Sequence, residues 1–131
     1  MKVSFQIKEK FKVRPEVIFE AWLNSKHHSE MTGGNAICSS EIGNTFSTWD
    51  GYITGTTISL KKNQEIVQTW RTTEFKENDE DSILTIQLKE LKNGTELNLI
   101  HTNIPEGQTQ YKKGWKEHYF EPMKNYFHSL K

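Results

Sequence analysis

The sequence predicts an α+β fold in which a curved antiparallel sheet wraps around one long C-terminal helix, with two short helices after the first strand. Two observations carry this. From about residue 35 the chain alternates with the period of β-strand, punctuated by Asp50-Gly51 and Asn93-Gly94, which suit tight hairpins. Residues 109–131 then switch to helical spacing, with Tyr111, Trp115, Tyr119, Met123 and Phe127 at i+4 and Tyr126 and Leu130 widening the stripe. An amphipathic helix after a run of strands must lie across a sheet. Its rings either fill the space beneath or line a pocket there.

The elements follow in order. Val3, Phe5 and Ile7 alternate with polar residues as a half-buried strand, with a phase slip and a bulge expected around Glu9-Lys10 before Phe11 and Val13 resume. Arg14-Pro15-Glu16 opens a helix, because proline suits the first turn and an acidic residue the N-terminus. Val17, Ile18, Ala21 and Trp22 form its apolar face, and Asn24-Ser25 breaks it. Lys26 to Met31 is a second short helix, closed by Gly33-Gly34. Strands are expected at 35–38, 45–49, 52–60, 65–74, 82–91 and 95–103, and the N-terminal strand joins the same sheet. The acidic run Glu77 to Asp81 reads as a solvated hairpin tip; it lacks the central glycine and distal glutamate of an EF-hand calcium loop. Pro122 removes a hydrogen bond to the His118 carbonyl and predicts a kink. Gly114 either lets the helix approach the sheet closely or leaves room beside Trp115.

At 131 residues the chain is expected to be one domain, 1–131. Only 34% of residues are apolar, yet four are Trp and 11% aromatic, so the core is built from few but large side chains. Seventeen basic residues balance seventeen acidic ones, which leaves no electrostatic footprint for nucleic acid. No apolar run approaches the length of a membrane span, and the opening Met1-Lys2-Val3-Ser4-Phe5 has no apolar core of a signal peptide. With Cys38 as the one cysteine, a soluble cytoplasmic protein is expected.

Catalytic and metal signatures are absent from the sequence: no phosphate loop, no Gly-x-Ser-x-Gly elbow, no His-Glu-x-x-His. No cofactor, catalytic residue or metal ligand is therefore assigned. His27-His28 point about 100° apart on a helix and so do not chelate one metal; they are expected exposed or half-buried at a cavity rim. His101 shares a strand face with Leu97 and Leu99 and is expected as hydrogen-bonded core or as a polar group in a pocket. Cys38 reads as a small buried hydrophobe. Arg71 reads as one half of a surface ion pair, with Glu74 or a neighbouring strand.

Several segments together resemble a known family. Phe11-Lys12-Val13-Arg14-Pro15-Glu16-Val17-Ile18-Phe19-Glu20-Ala21-Trp22 is similar to the opening of the Hsp90-ATPase-activator-homologue (AHSA1-like) family of the START-like, or SRPBCC, superfamily. Met31-Thr32-Gly33-Gly34, the stretch Gly43 to Gly55 with Thr48-Trp49-Asp50-Gly51-Tyr52, Ile66 to Arg71, Gly94-Thr95-Glu96-Leu97 and Gly114-Trp115-Lys116-Glu117-His118-Tyr119 resemble its later signatures. The resemblance implies a helix-grip (Bet v 1-like) fold with a cavity for hydrophobic molecules between sheet and helix. The activator that names the family carries a separate N-terminal domain and contacts the chaperone with both; no room for that domain is expected within these 131 residues. The family has no universal catalytic motif to transfer.

Three functions are then open. The first is a non-enzymatic module for a small hydrophobic ligand, its walls drawn from Trp22, Met31, Phe46, Trp49 and Tyr52 and from Trp70, His101, Tyr111, Trp115 and Tyr119. The second is a protein-interaction module with a chaperone partner, which predicts an exposed apolar patch. The third is a small enzyme on a hydrophobic substrate, which requires convergent ionisable groups such as His101 with a carboxylate. The sequence names neither the ligand nor the oligomeric state.

Overall fold

The computed structural model describes residues 2–129. Strand β1 (Val3–Phe11) is followed by helices α1 (Pro15–Leu23) and α2 (Ser25–Thr32). Then come β2 (Thr45–Thr48), β3 (Ile53–Lys61), β4 (Glu65–Thr72), β5 (Ser82–Leu91) and β6 (Gly94–Ile104). The C-terminal helix runs as α3 (Tyr111–Trp115), a π-helical segment (Lys116–Phe120) and α4 (Glu121–Ser129). The strands form one curved antiparallel sheet in the order β1-β6-β5-β4-β3-β2, so β2 to β6 are a meander and β1 closes the far edge against β6.

The helices start and stop where their end residues dictate. Pro15 sits at the first turn of α1, whose missing N–H would be unpaired in any case. Asn24 ends α1 and caps α2, its side chain accepting the His27 N–H at 3.0 Å. Gly33, at φ 85°, closes α2 in the left-handed conformation.

Residues 35–38 do not form the strand that alternation predicted. Only Ile37 pairs, with Ser47. The flanking N–H groups are intercepted by α2: Ala36 N–H donates to Ser29 Oγ at 2.9 Å and Cys38 N–H to Ser25 Oγ at 2.8 Å. The bulge also falls elsewhere. β1 keeps phase through Glu9, which faces the C-terminal helix and holds Lys124 at 2.8 Å. The register slips instead opposite Val3–Phe5, where β6 carries an extra residue and Asn103 takes φ 60°.

At the β2–β3 connection, Tyr52 N–H donates to the Trp49 carbonyl at 3.1 Å across Asp50 and Gly51, both at positive φ. That is the type I′ turn the sequence signals. It sets Trp49 and Tyr52 at the end of the sheet that faces α3. Gly34 lies flat beneath the Trp49 indole, where a Cβ would collide with the ring.

The C-terminal helix departs from a plain α-helix in a way that its sequence explains. Four residues of α-helix overshoot one turn by ~40°, so an i+4 stripe drifts around the helix. The π segment underwinds it, marked by the Glu121 N–H to Lys116 carbonyl bond, and returns the stripe to the sheet. The disturbance expected at Pro122 takes this form, because a proline ring crowds the carbonyl four residues back and a widened turn relieves it. Tyr111, Trp115, Tyr119, Met123 and Phe127 are accordingly all buried, and so is Phe120, which the i+4 pattern does not include. Tyr126 is half-buried, and Leu130 lies outside the described residues.

Candidate functional site

Between α3, the π segment and the β2–β3 end of the sheet lies a cavity of about 600 Å³, open on one side. Its wall comes from Trp49, Tyr52, Ile53, Trp70, Tyr111, Trp115 and Tyr119. Its rim comes from the helix: Gln110, Lys113, Gly114, Glu117 and His118. Gly114 explains the space. A Cβ built there meets nothing within 4 Å, so this glycine leaves room and does not serve close approach. The helix withholds a side chain at one of the positions that line the gap.

Six of the ten wall residues drawn from the sequence thus meet at one cavity: Trp49, Tyr52, Trp70, Tyr111, Trp115 and Tyr119. The other four lie in the packing behind or beside it. Trp22 stacks on Trp115 at 6.0 Å between ring centroids and donates its indole N–H to Gln68 Oε1 at 3.2 Å. Met31 and Phe46 are buried core. His101 is fully buried between β-sheet neighbours. Sequence reasoning did not draw Ile53, Gln110, Lys113, Glu117 or His118 to the cavity. The signal was present for the helical ones, since 110, 114 and 118 form an i+4 row beside the aromatic stripe.

The rings are held by hydrogen bonds whose direction can be read. Trp115 Nε1–H donates to His101 Nδ1 at 3.1 Å, which makes Nδ1 the acceptor and places the imidazole proton on Nε2. Nε2–H then donates to Ser82 Oγ at 2.8 Å, and Ser82 passes its own proton to the Trp70 carbonyl at 2.5 Å. Burial holds His101 neutral, its pKa lowered to about 3. This histidine faces Trp and Ser, and no carboxylate approaches it among the described hydrogen bonds. It connects three strands and the helix and has no partner for acid–base work.

His28 corrects the rim expectation for the His27-His28 pair. It is only 2% exposed. Nδ1–H donates to the Trp22 carbonyl at 2.8 Å, and Nε2 lies 3.2 Å from the Tyr119 hydroxyl, which also sits 3.2 Å from Thr48 Oγ1. Burial lowers its pKa to about 4, against a smaller opposing effect of the Trp22 carbonyl, and burial raises that of Tyr119. His27 points elsewhere, to the Tyr126 hydroxyl at 2.8 Å.

At the Tyr52 end, the Tyr52 hydroxyl donates to the Glu74 carboxylate, and Tyr111 meets Thr72 Oγ1 and Gln108 Oε1, each at 2.7 Å. Burial first, then Glu74, push the Tyr52 phenol pKa up. Arg71 is close by in sequence but pairs with Asp81 at 2.7 Å and with the carbonyls of Lys76 and Asp79, so Glu74 is not its partner. It ties down the acidic loop. Cys38 is half-buried, a correction to full burial, and desolvation raises its thiol pKa to about 11. A thiol held protonated is a poor nucleophile. Among the described residues no helix is long and apolar enough to cross a membrane.

A curved antiparallel sheet closed around a C-terminal helix, with a cavity between them, is the helix-grip architecture of START-like proteins. The family model described as "Activator of Hsp90 ATPase homolog 1-like protein" matches residues 12–128, and the chain belongs to that family. An activator of 90 kDa heat shock protein ATPase homolog from Dictyostelium discoideum is 25% identical over 125 residues, which are 95% of this chain and 33% of that protein. The chain thus spans about one third of that curated relative's length. The crystal structure of an HSP90 activator from Plasmodium falciparum superposes with a TM-score of 0.86 at 30% identity, covering 93% of this chain and 94% of that one. A Mesorhizobium loti protein at 18% identity shares the fold, with a TM-score of 0.85 over 98% and 99% of the two chains.

Proposed function

We propose that this chain is a cytoplasmic START-like binding module that receives a small hydrophobic molecule in the aromatic cavity. The observation that carries the reading is the open space beside Gly114, walled by six aromatic side chains, four of them hydrogen-bonded in place. A volume near 600 Å³ falls within the ~300–1,000 Å³ of small-molecule sites. Binding would come from apolar burial, with the Tyr hydroxyls setting orientation. The reading is non-enzymatic, because His101 and His28 are both neutral connectors inside the packing.

Thermal shift against a library of lipids and aromatic metabolites tests it, since a ligand bound only by the native state raises Tm. Gly114→Leu is the matched control. Its side chain would enter the cavity, so it should fold and lose the shift. A Gly114→Leu variant that keeps every shift would place binding elsewhere.

A second reading is favoured by the 30% identity to an HSP90 activator over nearly the whole of both chains. Under it the chain is a chaperone partner, and its test is stimulation of purified Hsp90 ATPase. The two readings separate on one variant: Gly114→Leu would abolish ligand shifts and leave stimulation intact if docking uses another face.

A further inference from the structure

The Tyr52–Tyr111 end of the cavity has a hydrogen-bond polarity that selects a class of ligand. Four groups close a ring there. Glu74 N–H donates to Thr72 Oγ1 at 3.1 Å, the Tyr111 hydroxyl donates to Gln108 Oε1 at 2.7 Å, and Gln108 Nε2–H donates to the Glu74 carbonyl at 3.1 Å. The remaining side is Thr72 to Tyr111, at 2.7 Å. Tyr111 has one proton and gives it to Gln108, so Thr72 is the donor on this side. Beside the ring, the Tyr52 hydroxyl gives its proton to the Glu74 carboxylate.

Every hydroxyl proton at this end is therefore committed. What these hydroxyls leave for a ligand is a lone pair of Tyr52 Oη, since Tyr111 Oη already accepts from Thr72, with the exposed Glu74 carboxylate beyond Tyr52. The second amide hydrogen of Gln108 belongs to a residue that does not line the cavity. The cavity's cation, Lys113, stands at the mouth, 84% exposed and 3.6 Å from Glu117, so those two charges offset each other. Glu74 makes no ion pair among the described residues.

The geometry points to a ligand that couples an aromatic body to a hydrogen-bond donor, a hydroxyl or an amine, and against one headed by a carboxylate. This rests on the ligand-binding reading above. An incoming hydroxyl or ammonium finds an acceptor at Tyr52. A carboxylate finds no free hydroxyl proton at this end, and a like charge beyond Tyr52.

Four probes with one ring system test it: 9-methylanthracene, 9-anthracenemethanol, 9-(aminomethyl)anthracene and 9-anthracenecarboxylate, titrated near neutral pH by fluorescence. The alcohol and the amine should each bind about tenfold tighter than the carboxylate. The amine-to-carboxylate ratio should contract about threefold or more in Glu74→Gln, whose amide keeps an acceptor for Tyr52 and loses the charge. Comparing alcohol with amine separates donation from charge. A carboxylate that binds as tightly as the alcohol overturns the inference, as does a ratio unchanged in Glu74→Gln. If 9-methylanthracene binds and the three head groups rank equally, this inference falls and the ligand reading stands. If none of the four binds, both fall.

Discussion

The two halves of the C-terminal helix bury aromatic rings in different ways. On the α4 side, Met123, Phe127 and Phe120 pack as hydrocarbon, and Phe11 presents its edge to both phenylalanines at 5.9 and 6.1 Å. On the cavity side, by contrast, the buried rings Tyr111, Trp115 and Tyr119 each have a polar handle, although Phe120 at the end of the π segment packs with the hydrocarbon half. Trp115 is tied to His101, Tyr119 to His28 and Thr48, and Tyr111 to Thr72 and Gln108. The cavity of about 600 Å³ borders the tethered half, and Phe120, Met123 and Phe127 take no part in its lining. An untethered ring next to a void would swing in and fill it, because each atom facing empty space lacks dispersion partners. The hydrogen bonds fix the rings against that collapse and keep the space available.

The largest expected effect tests whether both halves hold the fold equally. Trp115→Ala and Phe127→Ala should each lower stability by about 3–5 kcal/mol in urea denaturation, as for other buried large rings. Only Trp115→Ala should also abolish ligand-induced thermal shifts. A Phe127→Ala protein that loses them at a temperature where it is folded would erase the distinction between the halves.

Acid sharpens the same contrast, because both buried histidines serve the tethered half. Their pKa values are lowered from 6.5 to about 4 at His28 and about 3 at His101. Below pH 6.5 the unfolded chain takes up protons that the folded protein refuses. Stability therefore falls as pH falls from about 6.5, and each histidine stops contributing once pH passes its folded value. Between pH 6.5 and 4.5 the loss should be about 2–3 kcal/mol per histidine. Two imidazole NMR signals should stay in their neutral positions across that range. If both titrate near 6.5, the tethers are not formed as described.

A smaller effect should follow Tyr119→Phe. It keeps the ring and removes the hydroxyl, leaving His28 Nε2 and Thr48 Oγ1 without that partner, at a cost of about 1–2 kcal/mol. Its counterpart on the α4 side, Phe127→Leu, tests packing without a tether. If Tyr119→Phe left both stability and ligand affinity unchanged, the tether at this position would be decorative.

The division between the halves was only partly legible in the sequence. The i+4 row Tyr111, Trp115, Tyr119, Met123, Phe127 placed the helix on the sheet, and Asp50-Gly51 placed Trp49 and Tyr52 at one end of it. Those are local patterns, readable from period and turn chemistry. What the pattern could not carry was long-range pairing. His28 reads as a rim residue from its neighbours in sequence, yet its partner Tyr119 lies 91 positions away. The tautomer of His101 depends on Trp115 and Ser82, 14 and 19 positions away on other elements. Residues 35–38 alternate like a strand, and only the Ser25 and Ser29 hydroxyls explain why pairing stops at Ile37. Gly114 was legible as a choice between two roles, and only the space beside it selects one.

That choice also yields the smallest and most discriminating prediction. A glycine inside a helix costs ~1 kcal/mol against alanine, since the chain loses more freedom on ordering. Gly114 has nothing within 4 Å of a built Cβ and no positive φ that would require it. Gly114→Ala should therefore stabilise the protein by about 0.5–1 kcal/mol, where an alanine at a site of close packing would destabilise it. One methyl group occupies little of the cavity, so ligand shifts should persist, and Gly114→Leu should remove them. If Gly114→Ala instead destabilised, the helix would lie closer to the sheet than described, and the tethered half would have no cavity to protect.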